Sequence, residues 1–281
     1  MKNLQLLLLS LLSLSCFAQD LVVIDTIKLK CSYEYKYLRD TTDINKTYSS
    51  PDLLHLQIGS KCSKCFSYRT YQTDSIKAYG NLHETYKRIF KEADSKGWNT
   101  EQLTAVLPHK KMCTKVYKNY PDSKTTVTES ILLEFFQYEE DTNLQEWDLL
   151  SDSTKTIMGY ECQMATCKFR GREWTAWFAL DIPISDGPWK LSGLPGLIME
   201  AYDRGYQHWF CINGLQQVAA EPLFFGTDGK DISTFQKVKR TDLLTLQYKF
   251  LKDPDSFNEM SFGMSMGSNN NEIKRDLLER E

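Results

Sequence analysis

Several features that would point to a membrane, nucleic-acid or metal-binding protein are missing from this sequence. After residue 18, no apolar run is long enough to span a bilayer, which takes about 20 residues in a helix. The formal net charge is −3 and no basic block occurs, so the electrostatic footprint of a nucleic-acid-binding protein is missing. The four histidines show no spacing typical of metal ligands. We therefore expect no nucleic-acid partner, no metal site, no cofactor and no transmembrane segment in the mature chain.

Internal repeats and linkers are also missing. No stretch rich in proline, glycine and serine divides the chain before residue 255, and this predicts a single β-rich domain over residues 19–255. Residues 256–281 turn to serine, asparagine, glycine and methionine and then to charged residues. This composition predicts a poorly ordered polar tail.

The first eighteen residues have the pattern of a secretory signal peptide. Lys2 precedes an apolar run over residues 4–14, and the small residues Cys16 and Ala18 stand where a signal peptidase reads the chain. We expect cleavage after Ala18 and a secreted or periplasmic mature protein. An alternative makes Cys16 the lipidated first residue of a lipoprotein, although Ser13-Leu14-Ser15 is a poor match to a lipobox.

Cysteine content agrees with export. Eight cysteines are present, and removal of Cys16 leaves seven. In an oxidising compartment these are expected to form up to three disulfides with one thiol left over. Cys162 and Cys167 are five residues apart on one predicted strand, about 17 Å when extended, so they cannot bond each other. The connectivity stays open.

Hydrophobic periodicity predicts strands and one main helix in the first part of the chain. Tyr33, Tyr35 and Tyr37 alternate with polar residues within a predicted strand over residues 22–39. Further strands are predicted at 53–58 and 65–71. Residues 74–96 carry apolar residues every three or four positions, which predicts a helix that begins at Asp74 as N-cap and ends at Gly97.

The second part reads as a succession of antiparallel strands. The predicted strands cover residues 115–120, 125–133, 134–139, 145–150, 160–170, 173–182, 197–202 and 206–212. Gly171-Arg172 is the predicted two-residue turn of a hairpin. Residues 221–240 look irregular, and 242–251 is a candidate short helix. The predicted fold is mostly β (α+β), with one large, curved antiparallel sheet or open barrel-like meander and one main helix packed on it.

An unusual loop follows the hairpin at residues 187–198. The residues that define this loop as a binding or structural motif are Gly187, Pro188, Trp189, Gly193, Leu194, Pro195, Gly196, Leu197 and Ile198. Pro195 fixes its own φ, and Gly193 and Gly196 allow φ values or close contacts that a Cβ would forbid. Physically, this predicts a rigid bent loop that presses Trp189 and Leu194 on the sheet.

These residues resemble the GLPGLI family of exported Bacteroidota proteins. The six-residue string at residues 193–198 matches without a departure, and the likeness extends upstream through residues 159–162, Ala165, Gly171-Arg172, 176–178, Ile182-Pro183 and Gly187-Pro188. The resemblance covers residues 145–205 in detail. It implies an envelope location and a β-rich fold. It implies no catalytic residue, because the family has no agreed activity.

Cys62 and Cys65 are the reactive candidates. A Cys-x-x-Cys pair beside Lys64 could hold a lowered thiol pKa and exchange disulfides, or bind a soft metal. The sequence favours a structural disulfide at a hairpin turn over these two roles, because the chain after Cys65 continues as strand rather than as the helix that thioredoxin-like chemistry requires. Met260, Met264 and Met266 could add thioether ligands for copper.

Other catalytic motifs fail. Residues 263–267 match the Gly-x-Ser-x-Gly elbow, but no histidine follows Ser265 and the flanks are polar. His208 alternates with apolar strand residues, which indicates a strand residue rather than a ligand. The sequence therefore favours a non-enzymatic envelope protein that binds an outer-membrane or envelope partner protein, a peptide or an apolar ligand. The alternative is a thiol-redox or copper-handling protein that uses Cys62 and Cys65.

Overall fold

The computed structural model describes residues 21–43, 45–226, 230–253 and 274–280, without the side chain of Ser151. The predicted signal peptide, Ser265 and the three methionines of the predicted tail lie outside these residues. Within them, the chain folds mainly as one twelve-stranded sheet. The strands are β1 (Val22–Tyr37), β2 (Asp52–Ile58), β3 (Ser63–Ser67), β4 (Lys115–Lys118), β5 (Lys124–Ile131), β6 (Glu134–Asp141), β7 (Asp148–Ile157), β8 (Tyr160–Phe169), β9 (Arg172–Ala179), β10 (Leu197–Asp203), β11 (His208–Phe225) and β12 (Gln236–Lys237).

The sheet consists of two antiparallel meanders joined through their long inner strands. β1 to β6 follow one another in space as they do in sequence, and so do β7 to β11. The two meanders meet where β1 pairs antiparallel with β11, from Val22 opposite Phe225 to Tyr37 opposite His208. β12 adds a short parallel pairing on β6. The sheet stays open, with β7 and β12 at its ends, and this confirms the predicted curved, open, mostly antiparallel sheet.

Curvature brings the two meanders around one core. Leu56 of β2 and Cys65 of β3 belong to the same buried cluster as Trp174 and Phe178 of β9. Five strand-to-strand steps separate β3 from β9, about 24 Å across a flat sheet at the usual strand spacing. The sheet must bend for these side chains to share a cluster.

Four helices accompany the sheet in the described part of the chain: α1 (Tyr68–Tyr79), α2 (Leu82–Lys96), α3 (Thr100–Val106) and α4 (Arg240–Lys252). α4 confirms the candidate helix at 242–251. The single helix predicted over 74–96 is wrong, because Gly80 ends α1 and the side chain of Asn81 caps α2 by accepting from the Glu84 amide. Gly97 ends α2 in the left-handed conformation, as predicted.

The start of α1 corrects two further expectations. Ser67, not Asp74, is the N-cap, because its hydroxyl accepts a hydrogen bond from the Thr70 amide (3.2 Å). Asp74 lies buried inside α1 and pairs with Lys110 (2.6 Å). The strand predicted at 65–71 therefore ends at Ser67.

The β8–β9 hairpin turns one residue earlier than predicted. Arg170 and Gly171 both have positive φ (52° and 71°), as a tight two-residue hairpin turn requires, and Phe169 pairs with Arg172. Arg172 is thus the first residue of β9, and its side chain points into the protein.

Residues 221–240 are more regular than expected. β11 continues to Phe225, a 3₁₀ turn covers Ile232–Thr234, and β12 follows. Part of the predicted polar tail, residues 274–280, lies against the domain, where the side chain of Glu279 is buried. None of the helices described is both long and apolar enough to cross a membrane.

The motif loop and a candidate binding cleft

The motif loop, residues 187–198, lies in the core. Trp189 and Leu194 are only 2% and 1% exposed. The ring of Trp189 packs near Phe169 and Trp174, with centroids 5.8 Å apart in both pairs. The two side chains that the sequence predicted to press on the sheet therefore do so.

Two glycines of the loop are required by geometry. Gly193 has a φ of +93°, which residues with a Cβ rarely adopt. At Gly196 an added Cβ would lie 2.1 Å from the carbonyl oxygen of Ala179. Gly196 thus lets the loop approach β9 within a distance that any other residue would forbid.

Side chains from the opposite meander hold the loop backbone. The Lys118 ammonium of β4 donates to the carbonyl oxygens of Gly187 (2.5 Å) and Leu191 (3.2 Å), and it pairs with Asp186. The Trp189 amide donates to the sulfur of Cys65 (3.2 Å). The loop therefore fills the space inside the curved sheet and links its two halves.

Cys62 and Cys65 do not act as a pair. Cys65 lies in the main core beneath the motif loop, whereas Cys62 ends the β2–β3 turn and packs in a separate cluster with Ile27 and Leu223. No disulfide joins them or any other cysteines in the described ranges, where seven thiols are free. The prediction of up to three disulfides, including a bridge at this hairpin, is therefore wrong for this structure.

Strand geometry explains one unbridged pair. Cys31 of β1 and Cys65 of β3 both stand opposite Leu56 of β2, so a whole strand separates them. Two strand spacings place their Cα atoms about 9.5 Å apart, beyond the roughly 7 Å that a disulfide tolerates.

The two candidate thiols are poorly suited to redox chemistry. Burial raises the pKa of Cys62 to about 12 and that of Cys65 to about 11. A reactive cysteine needs a lowered pKa so that the thiolate forms near neutral pH. Among the described residues, no three histidine, cysteine or acidic side chains are grouped to hold a metal ion.

A small polar cavity of about 360 Å³ lies at the base of the motif loop. It is lined by Cys62, Ser63, Lys118, Asp186 and Ser192, among others. Two of its charged groups, Lys118 and Asp186, are engaged with each other and with the loop backbone. The cavity therefore belongs to the anchoring of the loop.

A larger cleft of about 850 Å³ lies between the β1–β2 and β4–β5 regions, α4 and residues 274–280. This volume falls within the range of about 300–1,000 Å³ for small-molecule sites. Apolar and aromatic side chains form much of its wall, including Tyr37, Met112, Ile131, Leu132, Phe250 and Leu278. Polar groups, including Arg39, Asp52, Glu129 and His208, converge on the same space.

Glu129 is the carboxyl group of the cleft with the most altered acidity. It is buried on β5, and burial raises its pKa to about 7. Thr114 donates its hydroxyl to Glu129, and Gln247 of α4 donates its amide (3.1 Å). A carboxyl that is half protonated near neutral pH can accept or donate a hydrogen bond to a ligand.

His208 stands on the other meander, at the first position of β11. Its Nδ1 lies 2.9 Å from the Tyr35 hydroxyl, and its backbone amide donates to Asp203 (2.8 Å). Burial, together with the nearby Arg172 charge, lowers the pKa of His208 well below its usual value. The imidazole is therefore neutral and held by structural partners, which agrees with its prediction as a strand residue.

Residues 274–280, called the strap from here on, form one wall of the cleft. The Arg172 guanidinium donates to the backbone carbonyls of Leu277 and Leu278 (2.9 Å to Leu278) and to Asp203 (2.7 Å). Its side chain is 1% exposed. A buried arginine thus holds the strap by its backbone.

The strap residue Glu279 enters a second group of charges. Its carboxylate pairs with Lys190 of the motif loop (2.7 Å), Arg240 of α4 (2.8 Å) and Arg170 (3.4 Å). Glu140 of β6 shares Lys190 (2.9 Å) and Arg170 (2.5 Å). Three cations around two carboxylates tie the motif loop, the hairpin turn, β6 and α4 to the strap.

Glu129, Arg172 and Lys190 are functional candidates that were not predicted from the sequence. The burial of Glu129 could have been predicted, because it shares a strand face with Val127 and Ile131, which places a carboxyl group among apolar neighbours. Arg172 and Lys190 gave no local signal. Their partners lie as far as 106 and 89 residues away in the chain, and only the folded sheet brings them together.

Comparison with known proteins gives a partial family match. A family described as "Protein of unknown function (Porph_ging)" matches residues 169–200, which include the motif loop. The match fits the resemblance to GLPGLI proteins over this stretch and leaves the rest of the chain uncovered. None of the curated proteins matches the chain.

Two solved structures of PNGF-II, in space groups C2 and P21, are distantly similar. They match over 79% of this chain with 11% and 13% identity and TM-scores of 0.47 and 0.48. The chain spans about a third of their length (33%). At these values the likeness supports no inference about activity.

Proposed function

We propose that this protein is a non-enzymatic binding protein of the cell envelope, and that the 850 Å³ cleft binds an amphipathic small molecule. The observation that supports this proposal is the volume and the lining of the cleft. Its apolar wall suits the hydrophobic body of a ligand, and Arg39 offers a polar contact for a charged group of the ligand. The exported location rests on the sequence pattern of residues 1–18.

The chemistry of the cleft favours binding over catalysis. His208 is kept neutral by burial and is engaged with Tyr35, while Glu129 is held by Thr114 and Gln247. A general base must reach the proton that it removes, whereas the Nδ1 of His208 and the carboxyl group of Glu129 already make hydrogen bonds within the protein. The thiol alternative is less well supported, because the pKa values of Cys62 and Cys65 are raised.

A dye titration tests the proposal. The mature protein is titrated with an anilinonaphthalene sulfonate, an amphipathic fluorescent probe with an anionic group. Met112→Trp narrows the cleft from its wall without removing the Met112 amide that donates to Asp52. We expect this variant to weaken dye binding at least tenfold.

Leu149→Trp is the matched control, because Leu149 is exposed on β7 and does not line the cleft. It should bind the dye as the unmodified protein does. Equal affinity for all three proteins would show that the dye binds elsewhere and would contradict the cleft as the site. Melting curves of each variant establish that the fold is retained.

A further inference from the structure

The strap is bound to the domain in the way that a peptide ligand is bound. It forms no ladder with a strand, and it is held at both ends and in the middle. The Thr41 amide donates to the Lys274 carbonyl (3.1 Å), and the Arg280 amide donates to the Arg170 carbonyl (3.0 Å). Between these two contacts, the Arg172 guanidinium donates hydrogen bonds to the successive backbone carbonyls of Leu277 and Leu278.

The groove beneath the strap is electrostatically complementary to the two carboxylates of the strap, Asp276 and Glu279. Four cationic side chains line it, from four different places in the fold: Arg170, Arg172, Lys190 and Arg240. The domain itself supplies two of their partners, Glu140 and Asp203. The strap supplies Glu279 and, 3.3 Å from Arg172, Asp276. Without the strap, this groove would carry an excess of positive charge in a poorly hydrated place, where unpaired charge is costly.

Apolar contact adds a third element of recognition. Leu278 packs on the main core cluster, next to the glutamate that enters the ion pairs. The strap thus presents backbone carbonyls, one apolar side chain and one carboxylate to the groove in a fixed order.

The covalent connection does not force this arrangement. Twenty residues lie between Asp253, after α4, and Lys274. Twenty residues can span up to about 70 Å when extended, so the length of this link does not by itself require the strap to lie in the groove.

We infer that the groove formed by Arg170, Arg172, Lys190 and Arg240 is a peptide-recognition site, and that the strap occupies it in cis. Its external ligand is an extended peptide segment of a partner protein, with two apolar residues followed by a carboxylate, as in Leu277-Leu278-Glu279. The inference goes beyond the proposed function and does not depend on dye binding in the cleft. The cis strap keeps the site closed to weak ligands, because a tethered segment acts at a high effective concentration.

The test uses the full chain and a fluorescent peptide with the sequence of residues 274–281. Glu279→Lys in the protein weakens the cis strap and leaves all four groove cations in place. We expect this variant to bind the peptide with one-to-one stoichiometry and at least ten times more tightly than the unmodified protein. Saturating peptide should also raise the melting temperature of the variant.

Two controls separate recognition from nonspecific attraction. A peptide in which Glu279 is replaced by glutamine should bind at least ten times more weakly. The double variant Glu279→Lys with Arg172→Met should lose binding, because the two carbonyls of the peptide have no donor.

Several results would overturn the inference. One is equal binding by the Glu279→Lys variant and the unmodified protein, and another is no binding by either. A Glu279→Lys protein that is unfolded and is not rescued by the peptide would show that the strap is part of the fold rather than a separable ligand. A dimer of the unmodified protein held by exchanged straps would make a second copy, and not a partner protein, the occupant.

Discussion

Glu129 lies on β5 with its carboxyl group buried against the cleft. Burial raises its pKa to about 7, whereas the ordinary value that applies in the unfolded chain is 4.5. A group with a raised folded pKa contributes stability that is fully present below pH 4.5 and is lost as the pH rises through 7. The total loss is about 3 kcal/mol, since one pKa unit corresponds to about 1.4 kcal/mol.

Replacement of Glu129 by glutamine should remove this pH dependence, because the amide cannot ionise and still accepts the Thr114 hydroxyl. In urea unfolding between pH 5 and 8, the free energy of unfolding of the unmodified protein should fall relative to that of the variant as the pH rises through 7, because other groups contribute equally to both proteins. Glu139→Gln, at an exposed position of β6, is the control and should follow the unmodified protein. A Glu129→Gln protein with the same pH profile as the unmodified one would contradict the assignment.

Glu129 shows which properties of a single residue can be predicted from the sequence. A carboxyl between Val127 and Ile131 on one strand face is visible in the sequence and can be flagged. Its altered acidity is not visible, because that depends on α4 and on Thr114 closing over it. The buried position of Arg172 was missed for another reason, the register of the hairpin. The turn was predicted one residue too late, which placed Arg172 in the turn, whereas in the structure it is the first residue of β9 and is buried.

At the scale of elements, the motif loop has the strictest geometry. Gly196→Ala places a Cβ 2.1 Å from the Ala179 carbonyl oxygen, so the loop or β9 must move. We expect a loss of unfolding free energy of at least about 1–3 kcal/mol, the usual effect of overpacking a core. Urea denaturation of the purified variant measures it.

Gly205→Ala is the matched control for this substitution. Its added Cβ would lie 3.3 Å from the Cγ of Gln207, a flexible side chain on a turn. A much smaller loss is expected there. Equal stabilities for the two alanine variants would contradict the close approach at Gly196.

The sequence predicts elements better where the chain reverses sharply than where the periodicity is continuous. Gly97 and the β8–β9 turn are close to their predicted places because glycine marks them. The break between α1 and α2 was missed, since apolar residues keep their helical spacing across Gly80 and Asn81. The buried role of the motif loop could be predicted from its prolines and glycines, but not its partners Lys118 and Cys65.

For the whole molecule, the seven described cysteines give a direct chemical test. Burial raises the pKa of every one of them. Without reductant, an alkylating reagent should add to few of them in the folded protein and to at least seven after denaturation. Intact mass spectrometry counts the additions, and a reduced sample is the control. Fewer additions, with a deficit of two hydrogens per missing pair, would show disulfides instead.

The pairing of β1 with β11 has a consequence for how the chain acquires its fold. The two strands are joined residue by residue, yet about 170 residues lie between their sequences, from Tyr37 to His208. Each meander can assemble from near neighbours, whereas this junction closes a very long loop, and the entropy of that closure is lost before its contacts form. β11 is thus needed to complete the pairing of β1, so a chain that is made from its N-terminus leaves one edge of β1 unpaired until most of the sequence has been made.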